Sequence, residues 1–369
     1  MTAQGKLAKV LFCAMGVLLA FGLITGGVSS GAWAAGEDGK PKSVKWQVAT
    51  GWPESMFLHE MPKKWAADVN KASGGRFVIE LYPAGALVAA QEMMDAAKMG
   101  AINAYHAATN LWVGKMPPAP FFCSFPMVFS EPGMQLGWLY EGGGLELWQK
   151  MYDQAGYNIK VFPLGFTGPE TLAWANKKIE KMDDWKGLKY RGAGWWAEVL
   201  RNNGVSVTTL PPGELYQALE RGVVDALEFS TPNDDRNLGY FEIAKYNTGP
   251  GMHQPHTVYY LGIGKSSWDA LPDDLKALVE ITARATTLWS YTRDLQKSME
   301  ANDYFKSKGV TQVKVDEESQ LKLQADIFAL LDKKAKEQGG LFAETWDSIK
   351  AYRKRFLEFE GFMKPVTGK

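Results

Sequence analysis

The apolar positions of the first part of the chain alternate between two rhythms. Runs in which every second residue is apolar predict strands, and stripes repeating every three or four residues, such as Met61, Trp65 and Val69, predict helices. The predicted strands are Val44–Thr50, Phe77–Tyr82 and Ala101–Ala107, and the predicted helices between them are Leu58–Ser73 and Gln91–Met99. This alternation favours a parallel sheet with helices packed on its faces.

A second set of strand-like runs begins after a helical stretch, Gly133–Ala155, in which Gly142, Gly143 and Gly144 predict a bend or a break. We assign five runs to a second sheet: Ile159–Gly165, Thr171–Asn176, Leu188–Arg191, Val205–Thr209 and Ala226–Phe229. Thr257–Gly264 is expected to return to the first sheet. The remainder is mostly helical, including Leu275–Lys308 and Glu317–Gln338, with a short strand at Val310–Val315. Two α/β lobes that enclose a cleft are therefore expected, joined by ordered crossings because no low-complexity linker occurs.

The N-terminal 35 residues have the layout of a secretory signal peptide. Lys6 and Lys9 precede an apolar run, and small residues ending at Ala34 and Ala35 offer a cleavage site. An uncleaved membrane anchor is the alternative. Export to the periplasm is the prediction we retain, and after cleavage Cys123 would have no cysteine with which to form a disulfide.

Composition narrows the possible function. The chain has 41 basic and 41 acidic residues, and this balance provides no electrostatic surface for nucleic acid. No nucleophile elbow, zinc-protease motif or phosphate-binding loop is present. Aromatic residues make up 12% of the chain, so a secreted carbohydrate-active enzyme that uses Glu170 and Glu228 as its carboxyl pair remains open.

Arg191 is the candidate for binding an anion. It ends a short apolar strand directly before Gly192-Ala193-Gly194, where the backbone can turn sharply. A guanidinium fixed there presents a planar fork of donors that matches a carboxylate, and Glu228 lies on a later strand. The alternative is that Arg191 only pairs with an acid to hold the strand in place.

Several short motifs occur in order over some 190 residues. They include Ser73-Gly74-Gly75-Arg76-Phe77, Tyr82-Pro83-Ala84-Gly85, Tyr105-His106-Ala107-Ala108, Gly187-Leu188-Lys189-Tyr190-Arg191, Pro212-Gly213-Glu214, Ala218-Leu219-Glu220-Arg221-Gly222 and the stretch Asp225 to Glu228. In this order they resemble the solute-binding subunits of tripartite ATP-independent periplasmic (TRAP) transporters, especially those for α-keto acids. The resemblance implies a two-lobed periplasmic binding protein without catalytic activity, which closes around an organic acid and delivers it to membrane subunits.

The resemblance also implies where the two lobes begin and end, and that a metal ion binds with the ligand. Lobe I would comprise residues 36–167 and 256–296, and lobe II residues 168–255 and 297–369 with long C-terminal helices, as a monomer or a homodimer. Arg191 matches the arginine that holds the ligand carboxylate, and the metal would be bound by Glu170, Glu228 and the carbonyl of Phe229. Since Glu170 replaces a usual glutamine, we expect calcium, with sodium, no metal or a protonated Glu170 as alternatives.

Other departures from the resembling proteins concern the ligand. Phe166 stands where an asparagine is usual, and Asn110-Leu111 replaces an aromatic pair. With Trp174, Trp195 and Trp196 these changes predict an apolar compartment for a branched or aromatic 2-oxo acid such as indole-3-pyruvate, unless the tryptophans belong to the core. A hydroxy acid or sulfonate bound without metal remains open. Tyr105 and His106, at the end of the third strand, and His253, in a glycine- and proline-rich crossing, are further candidate contacts.

Overall fold

The computed structural model describes residues 43–210 and 212–365. The predicted signal peptide, residues 1–35, lies outside the described residues. None of the helices in the described part of the chain has the length and apolar character needed to span a bilayer.

Eleven strands occur in the described residues and form two sheets. They are β1 (Val44–Thr50), β2 (Phe77–Tyr82), β3 (Ala104–Ala107), β4 (Ile159–Thr167), β5 (Ala173–Ala175), β6 (Lys189–Arg191), β7 (Ser206–Thr208), β8 (Ala226–Leu227), β9 (Tyr246–Gly249), β10 (Thr257–Gly264) and β11 (Thr311–Lys314).

Eleven α-helices connect or cover these strands within the same residues. They are α1 (Phe57–Ala72), α2 (Met93–Lys98), α3 (Pro132–Glu141), α4 (Gly144–Gln154), α5 (Gly194–Asn202), α6 (Leu215–Glu220), α7 (Pro232–Leu238), α8 (Lys265–Asp269), α9 (Asp273–Ser307), α10 (Glu317–Gln338) and α11 (Gly340–Met363).

The first sheet has the strand order β2-β1-β3-β10-β4. Strands β2 and β3 run parallel to β1, as the strand–helix rhythm predicts, whereas β10 is antiparallel to both β3 and β4. The return of β10 to this sheet is confirmed. The assignment of Ile159–Gly165 to the second sheet is wrong, because β4 pairs with β10 at the edge of the first sheet. A continuous apolar run signals burial on both faces but does not specify its partner strand.

The second sheet has the order β11-β9-β5-β8-β6-β7 and mixes parallel and antiparallel pairs. It contains β9, which the sequence pattern did not predict because its four residues, Tyr-Asn-Thr-Gly, include only one large apolar side chain. Strand β6 lies beside β8 in parallel register, with Arg191 opposite Leu227. This register brings the end of β6 next to Glu228, the first residue after β8.

The predicted break between Gly142 and Gly144 is confirmed, because α3 ends at Glu141 and α4 begins at Gly144. Gly143 has φ 86°, a conformation that glycine adopts without steric cost. A Cβ on Gly144 would lie 2.8 Å from the Cα of Leu139, so the two helices approach too closely for a larger residue.

The long C-terminal helices contact elements of both sheets. Helix α10 packs against α5, which follows β6 of the second sheet, whereas α11 packs against α3 and α4, which precede β4 of the first. Phe121 stacks on Trp346 of α11 with ring centroids 6.0 Å apart. The lobe boundaries drawn from the sequence, which place residues 297–369 with lobe II, stay a prediction.

Buried polar side chains of helix α9 bind the end of β4 and the segment that leads from it to β5 of the second sheet; residues 168–172 are called the β4–β5 crossing. The helix packs against β4, α1 and α7. Three of its side chains accept hydrogen bonds from backbone N–H groups at the end of β4 and just after it. The bonds run from Gly165 to Thr287 (3.2 Å), from Phe166 to Ser290 (2.8 Å) and from Gly168 to Asp294 (2.9 Å). Asp294 also accepts a 2.9 Å bond from the hydroxyl of Thr231, the residue directly before α7. It therefore connects this crossing to the start of α7.

Replacing Asp294 by asparagine is expected to stabilise the protein at neutral pH and not at acid pH. Burial raises the pKa of Asp294 from 3.8 to about 6. A carboxyl whose pKa is raised on folding contributes most below its unfolded pKa, and that contribution is lost as pH rises from about 4 to about 6. Asparagine can keep both bonds, its oxygen accepting from Gly168 and its amide donating to Thr231. The gain at pH 7 relative to pH 4 should be about 2 kcal/mol.

Urea unfolding of wild type and Asp294→Asn at the two pH values measures this difference. Asp303→Asn, which replaces an exposed carboxyl on the same helix, is the control for the loss of one charge from α9. An equal effect of Asp294→Asn at both pH values would mean that folding does not raise the pKa of this carboxyl.

Candidate functional site

A cavity of about 530 Å³ lies where segments that follow the strands of both sheets come together. One wall comes from the chain after β3, and the opposite wall comes from the start of α5, from the end of β8 and from the crossing before β10. Ligands of α/β proteins bind at such carboxyl ends of strands. The lining residues are Asn110, Leu111, Val113, Pro120, Ser124, Pro126, Ala193, Gly194, Trp195, Trp196, Glu198, Glu228, His253 and Gln254.

Two carboxyl groups and one imidazole are buried together at this cavity. Glu170 lies in the crossing from β4 to β5, Glu228 follows β8, and His253 lies in the crossing from β9 to β10. The Nε2 of His253 is 3.2 Å from Oε2 of Glu170 and 3.5 Å from Oε2 of Glu228. Gln254 ties the two crossings together, because its carbonyl accepts a 3.2 Å bond from the Glu170 N–H and its amide donates a 2.9 Å bond to Glu170 Oε2.

Arg191 is fixed against the same cluster by the pairing of β6 with β8. Its Nη1 donates to the carbonyl of Glu228 at 2.7 Å and to Glu228 Oε1 at 2.9 Å. Its Nη2 donates a long 3.4 Å bond to the carbonyl of Leu210, and its buried Nε has no hydrogen-bond partner in the described part of the chain. A guanidinium has five N–H donors, so the edge formed by Nε and Nη2 retains capacity for an acceptor.

The charges of the cluster depend on one another. Burial raises the pKa of Glu170 to about 7, in spite of its hydrogen bond with His253. Burial acts in the same direction on Glu228, but hydrogen bonding with His253 and the charges of His253 and Arg191 outweigh it and lower the pKa of Glu228. Burial alone would lower the pKa of His253, whereas hydrogen bonds with both carboxylates raise it to about 9. The contacts within the cluster therefore favour the charged forms of Glu228 and His253, whereas burial favours the neutral form of Glu170.

Comparison with known proteins decides the family. Residues 48–338 match the family model described as DctP, bacterial extracellular solute-binding protein, family 7. The chain belongs to this family. The solute-binding proteins of TRAP transporters bind small organic acids outside the cytoplasm and work with membrane subunits, and they are not enzymes. The possibility of a carbohydrate-active enzyme that uses Glu170 and Glu228 is thereby set aside.

The similar proteins cover nearly all of this solute-binding protein. A monocarboxylate 2-oxoacid-binding periplasmic protein of Nostoc sp. is 31% identical over 315 residues, 85% of each chain. A TRAP solute-binding protein of Colwellia psychrerythraea, crystallised with calcium and pyruvate, is 30% identical, with a TM-score of 0.80 over 87% of this chain and 98% of that one. Its counterpart from Pseudoalteromonas atlantica, with sodium and pyruvate, is also 30% identical, with a TM-score of 0.79 over 87% and 97%. The two-lobed α/β fold with long C-terminal helices is confirmed.

The solute-binding protein brings several of the predicted site residues together. Asn110, Trp195, Glu228 and His253 line the cavity, as does Trp196. Glu170 does not line it but is bonded to His253 and Gln254, which do. Arg191 does not line the cavity either, but it is bonded to Glu228, which does. Phe229 follows Glu228 directly and is half-buried against the hydrophobic cluster of the second sheet. Their roles in binding stay predictions.

Other predicted contacts lie elsewhere, in the core of the solute-binding protein. Tyr105 accepts a 2.9 Å bond from the hydroxyl of Tyr260, and His106 Nε2 is 2.8 Å from the carbonyl of Leu164. Both residues lie within β3 rather than after it, so the alternation of a strand points them to its two covered faces. Phe166 stacks on His256 at 5.3 Å, and Trp174 is fully buried and donates to Asp235 at 2.7 Å. None of these four residues lines the cavity.

The sequence did not indicate how His253 and Gln254 are placed. His253 was a candidate contact only because of its glycine- and proline-rich surroundings, and Gln254 was not considered. The available signal is a polar His-Gln pair between two prolines, Pro250 and Pro255, in a chain that has only four histidines. The position of His253 between two carboxyl groups depends on how the β4–β5 and β9–β10 crossings pack together, and no local sequence pattern encodes that packing.

Proposed function

We propose that this protein captures a 2-oxo monocarboxylate in the cavity beside Glu228 and delivers it to the membrane subunits of a TRAP transporter. The observation that carries the proposal is the buried pairing of Arg191 with Glu228 at the cavity, with Nε of Arg191 lacking a partner among the described residues. The Nostoc relative, described as binding monocarboxylate 2-oxo acids, supports the same ligand class.

Arg191 would hold the carboxylate of the ligand. Its Nη1 is used by Glu228, which leaves the Nε and Nη2 edge for two parallel bonds to a carboxylate. Because the site is buried, these charge-assisted bonds are stronger than the same bonds in water. The guanidinium would thus fix the acid end of the ligand, whatever lies beyond it.

A metal ion would bridge the ligand and the protein. Glu170, Glu228 and the carbonyl of Phe229 provide oxygen donors, and with oxygen donors alone calcium is the ion expected. The Colwellia relative holds calcium with pyruvate, and the Pseudoalteromonas relative holds sodium. Two carboxylates in one shell favour the divalent ion, since they neutralise its charge.

The walls of the cavity favour a ligand larger than pyruvate. Apolar lining residues include Leu111, Val113, Pro120 and Trp195, and the volume of about 530 Å³ falls within the range of sites for drug-sized molecules. Pyruvate has only a methyl group beyond its keto carbon and would leave most of this space empty. A branched or aromatic side chain, as in indole-3-pyruvate, would fill it.

Calorimetric titration of the chelator-stripped protein tests this function. We expect indole-3-pyruvate to bind at least about tenfold more tightly than pyruvate, because burying the extra apolar surface is favourable, and we expect both to need a divalent ion. The titrations are run without metal, with calcium and with manganese, and glycerate serves as the hydroxy-acid control. No heat with either 2-oxo acid under any condition would move the ligand to another class of anion.

A further inference from the structure

We propose that His253 is a direct ligand of the bridging metal, so that Glu170, Glu228 and His253 form a mixed nitrogen and oxygen site for a first-row divalent transition ion such as Mn²⁺ or Zn²⁺. This inference rests on the proposed function, because it assumes that the buried carboxyl pair binds a metal. It departs from the expectation of calcium, which considered oxygen donors alone.

The positions of the donor atoms carry the proposal. One donor atom from each of the three residues lies within 4.8 Å of the others, and all three side chains are buried. In the described residues this is the one group of three or more acidic, histidine or cysteine side chains placed to hold an ion. His253 Nε2 already lies 3.2 Å and 3.5 Å from the two carboxylate oxygens, so the ring presents this nitrogen to the space that they share. An ion bound there would take the place of the proton on Nε2, which would be released to solvent.

The surroundings of His253 keep it in that position. Its ring is buried beside Trp196, with ring centroids 6.2 Å apart, and the next residue, Gln254, holds Oε2 of Glu170 from the other side. Such bonds to a ligating carboxylate orient it and contribute to metal affinity. The second ring nitrogen, Nδ1, is buried and has no partner in the part of the chain that is described. It is therefore available to hydrogen-bond an acid bound in the cavity.

The donor set determines which ion is preferred. Calcium takes six to eight oxygen ligands and gains little from an imidazole, whereas imidazole with carboxylates suits manganese, iron, cobalt and zinc. A site with two carboxylates and one histidine should therefore discriminate against calcium. The 2-oxo acid would complete the coordination in either case, so the ligand class of the proposed function is unaffected.

The first test is spectroscopic and uses the chelator-stripped full-length protein loaded with Mn²⁺. Electron spin echo modulation of the bound manganese should show a directly coordinated nitrogen, and calorimetry should show Mn²⁺ binding at least about tenfold more tightly than Ca²⁺. The wild-type spectrum alone decides whether nitrogen is bound, and so the result does not depend on a variant that folds.

The variant His253→Gln tests which histidine is responsible. It retains an amide oxygen as a donor, so the nitrogen signal should vanish and the preference for Mn²⁺ over Ca²⁺ should fall at least about tenfold, while calcium still binds. His256→Gln, in the same crossing but stacked on Phe166, is the matched control and should retain both signal and preference.

Four outcomes overturn the proposal in distinguishable ways. Manganese bound without a nitrogen signal, or a signal that persists in His253→Gln, removes His253 from the metal shell. Calcium binding as tight as manganese binding, with normal uptake of the 2-oxo acid, refutes this inference and leaves the proposed function intact. If neither ion binds and the acid still does, the metal is removed from the proposed function as well.

Discussion

Replacing Arg191 by lysine is expected to weaken binding of a 2-oxo acid by about a hundredfold or more while leaving the fold stable. Lysine keeps a positive charge next to the buried carboxylate of Glu228, but it has no planar fork. The ligand would therefore lose the paired bonds to Nε and Nη2. Hydrogen bonds to charged groups contribute about 1.5–3 kcal/mol each, and so losing one or two accounts for a change of this size.

The lysine variant distinguishes the two roles that the sequence left open for Arg191, which are binding the ligand carboxylate and pairing with an acid to hold the strand. The structure confirms that Arg191 pairs with an acid, since Nη1 lies 2.9 Å from Glu228 Oε1 and both side chains are buried. Truncation to alanine would remove the partner of a buried charge, which costs about 3–5 kcal/mol, and would mix loss of stability with loss of binding. Stability is therefore expected to fall in Arg191→Ala and to change little in Arg191→Lys.

Isothermal titration and urea unfolding of both variants measure these effects. Arg201→Lys, an exposed arginine on α5 that donates to the carbonyl of Val207, is the control and should alter neither quantity. Near-normal affinity in Arg191→Lys would show that the guanidinium fork does not hold the ligand, and Arg191 would then be only the structural partner of Glu228.

Replacing Gly251 by alanine is expected to destabilise the protein by about 3 kcal/mol and to abolish metal binding. A Cβ at this position would lie 2.2 Å from the carbonyl oxygen of Glu170 and 2.8 Å from its carbonyl carbon. The obstacle is backbone rather than a flexible side chain, so something must shift, and overpacking of this kind costs about 1–3 kcal/mol or more. The atoms that would have to separate belong to the two crossings that contain Glu170 and His253.

The Glu170 segment has little freedom to move away. The N–H groups of Thr171 and Leu172 donate to the carbonyls of Ser230 and Thr248 at 3.0 and 2.9 Å, which ties the segment into the second sheet. Any displacement therefore either breaks these bonds or pulls His253 away from Glu170. Loss of stability and loss of the metal site are expected to accompany each other for this reason.

Thermal unfolding and metal titration of Gly251→Ala test this expectation. Gly361→Ala is the control, because it lies in α11 with open space around it and alanine is the better helix former. It should be neutral or slightly stabilising. Wild-type metal affinity in Gly251→Ala would mean that the two crossings can move apart to accommodate a methyl group without separating His253 from Glu170.

The elements that the sequence predicted well are those with long, regular patterns. Val44–Thr50, Phe77–Tyr82 and Thr257–Gly264 were predicted with the bounds found, and so was the helix Glu317–Gln338. In each, the apolar period extends over enough residues to specify both the type and the length of the element. Two other strands were misjudged for different reasons. The four-residue β9 was missed because so short a run carries little pattern, and the nine-residue β4 was assigned to the wrong sheet because a fully apolar run does not indicate its neighbour.

The candidate site divides in the same way. Arg191 and Glu228 were candidates because each lies at the end of a short apolar strand region, and Glu170 was a candidate through the resemblance to TRAP solute-binding proteins; their roles stay predictions. Tyr105 and His106 were chosen by their position at the end of a strand, and Phe166 because an asparagine is usual there in the resembling proteins, yet all three are buried away from the cavity. The direction of a side chain at a strand end depends on which face is covered, and packing decides that.

The sequence by itself determined the class of fold and the family, and it made Arg191, Glu170 and Glu228 candidates for the site, because these depend on local periodicity and on short motifs. Only the tertiary structure decided that Arg191 bonds to Glu228, that α9 binds the end of β4, and that His253 lies between two carboxyl groups. These contacts join residues 37, 126 and 83 positions apart. They form only when strand order and register are set, since those place distant segments against each other.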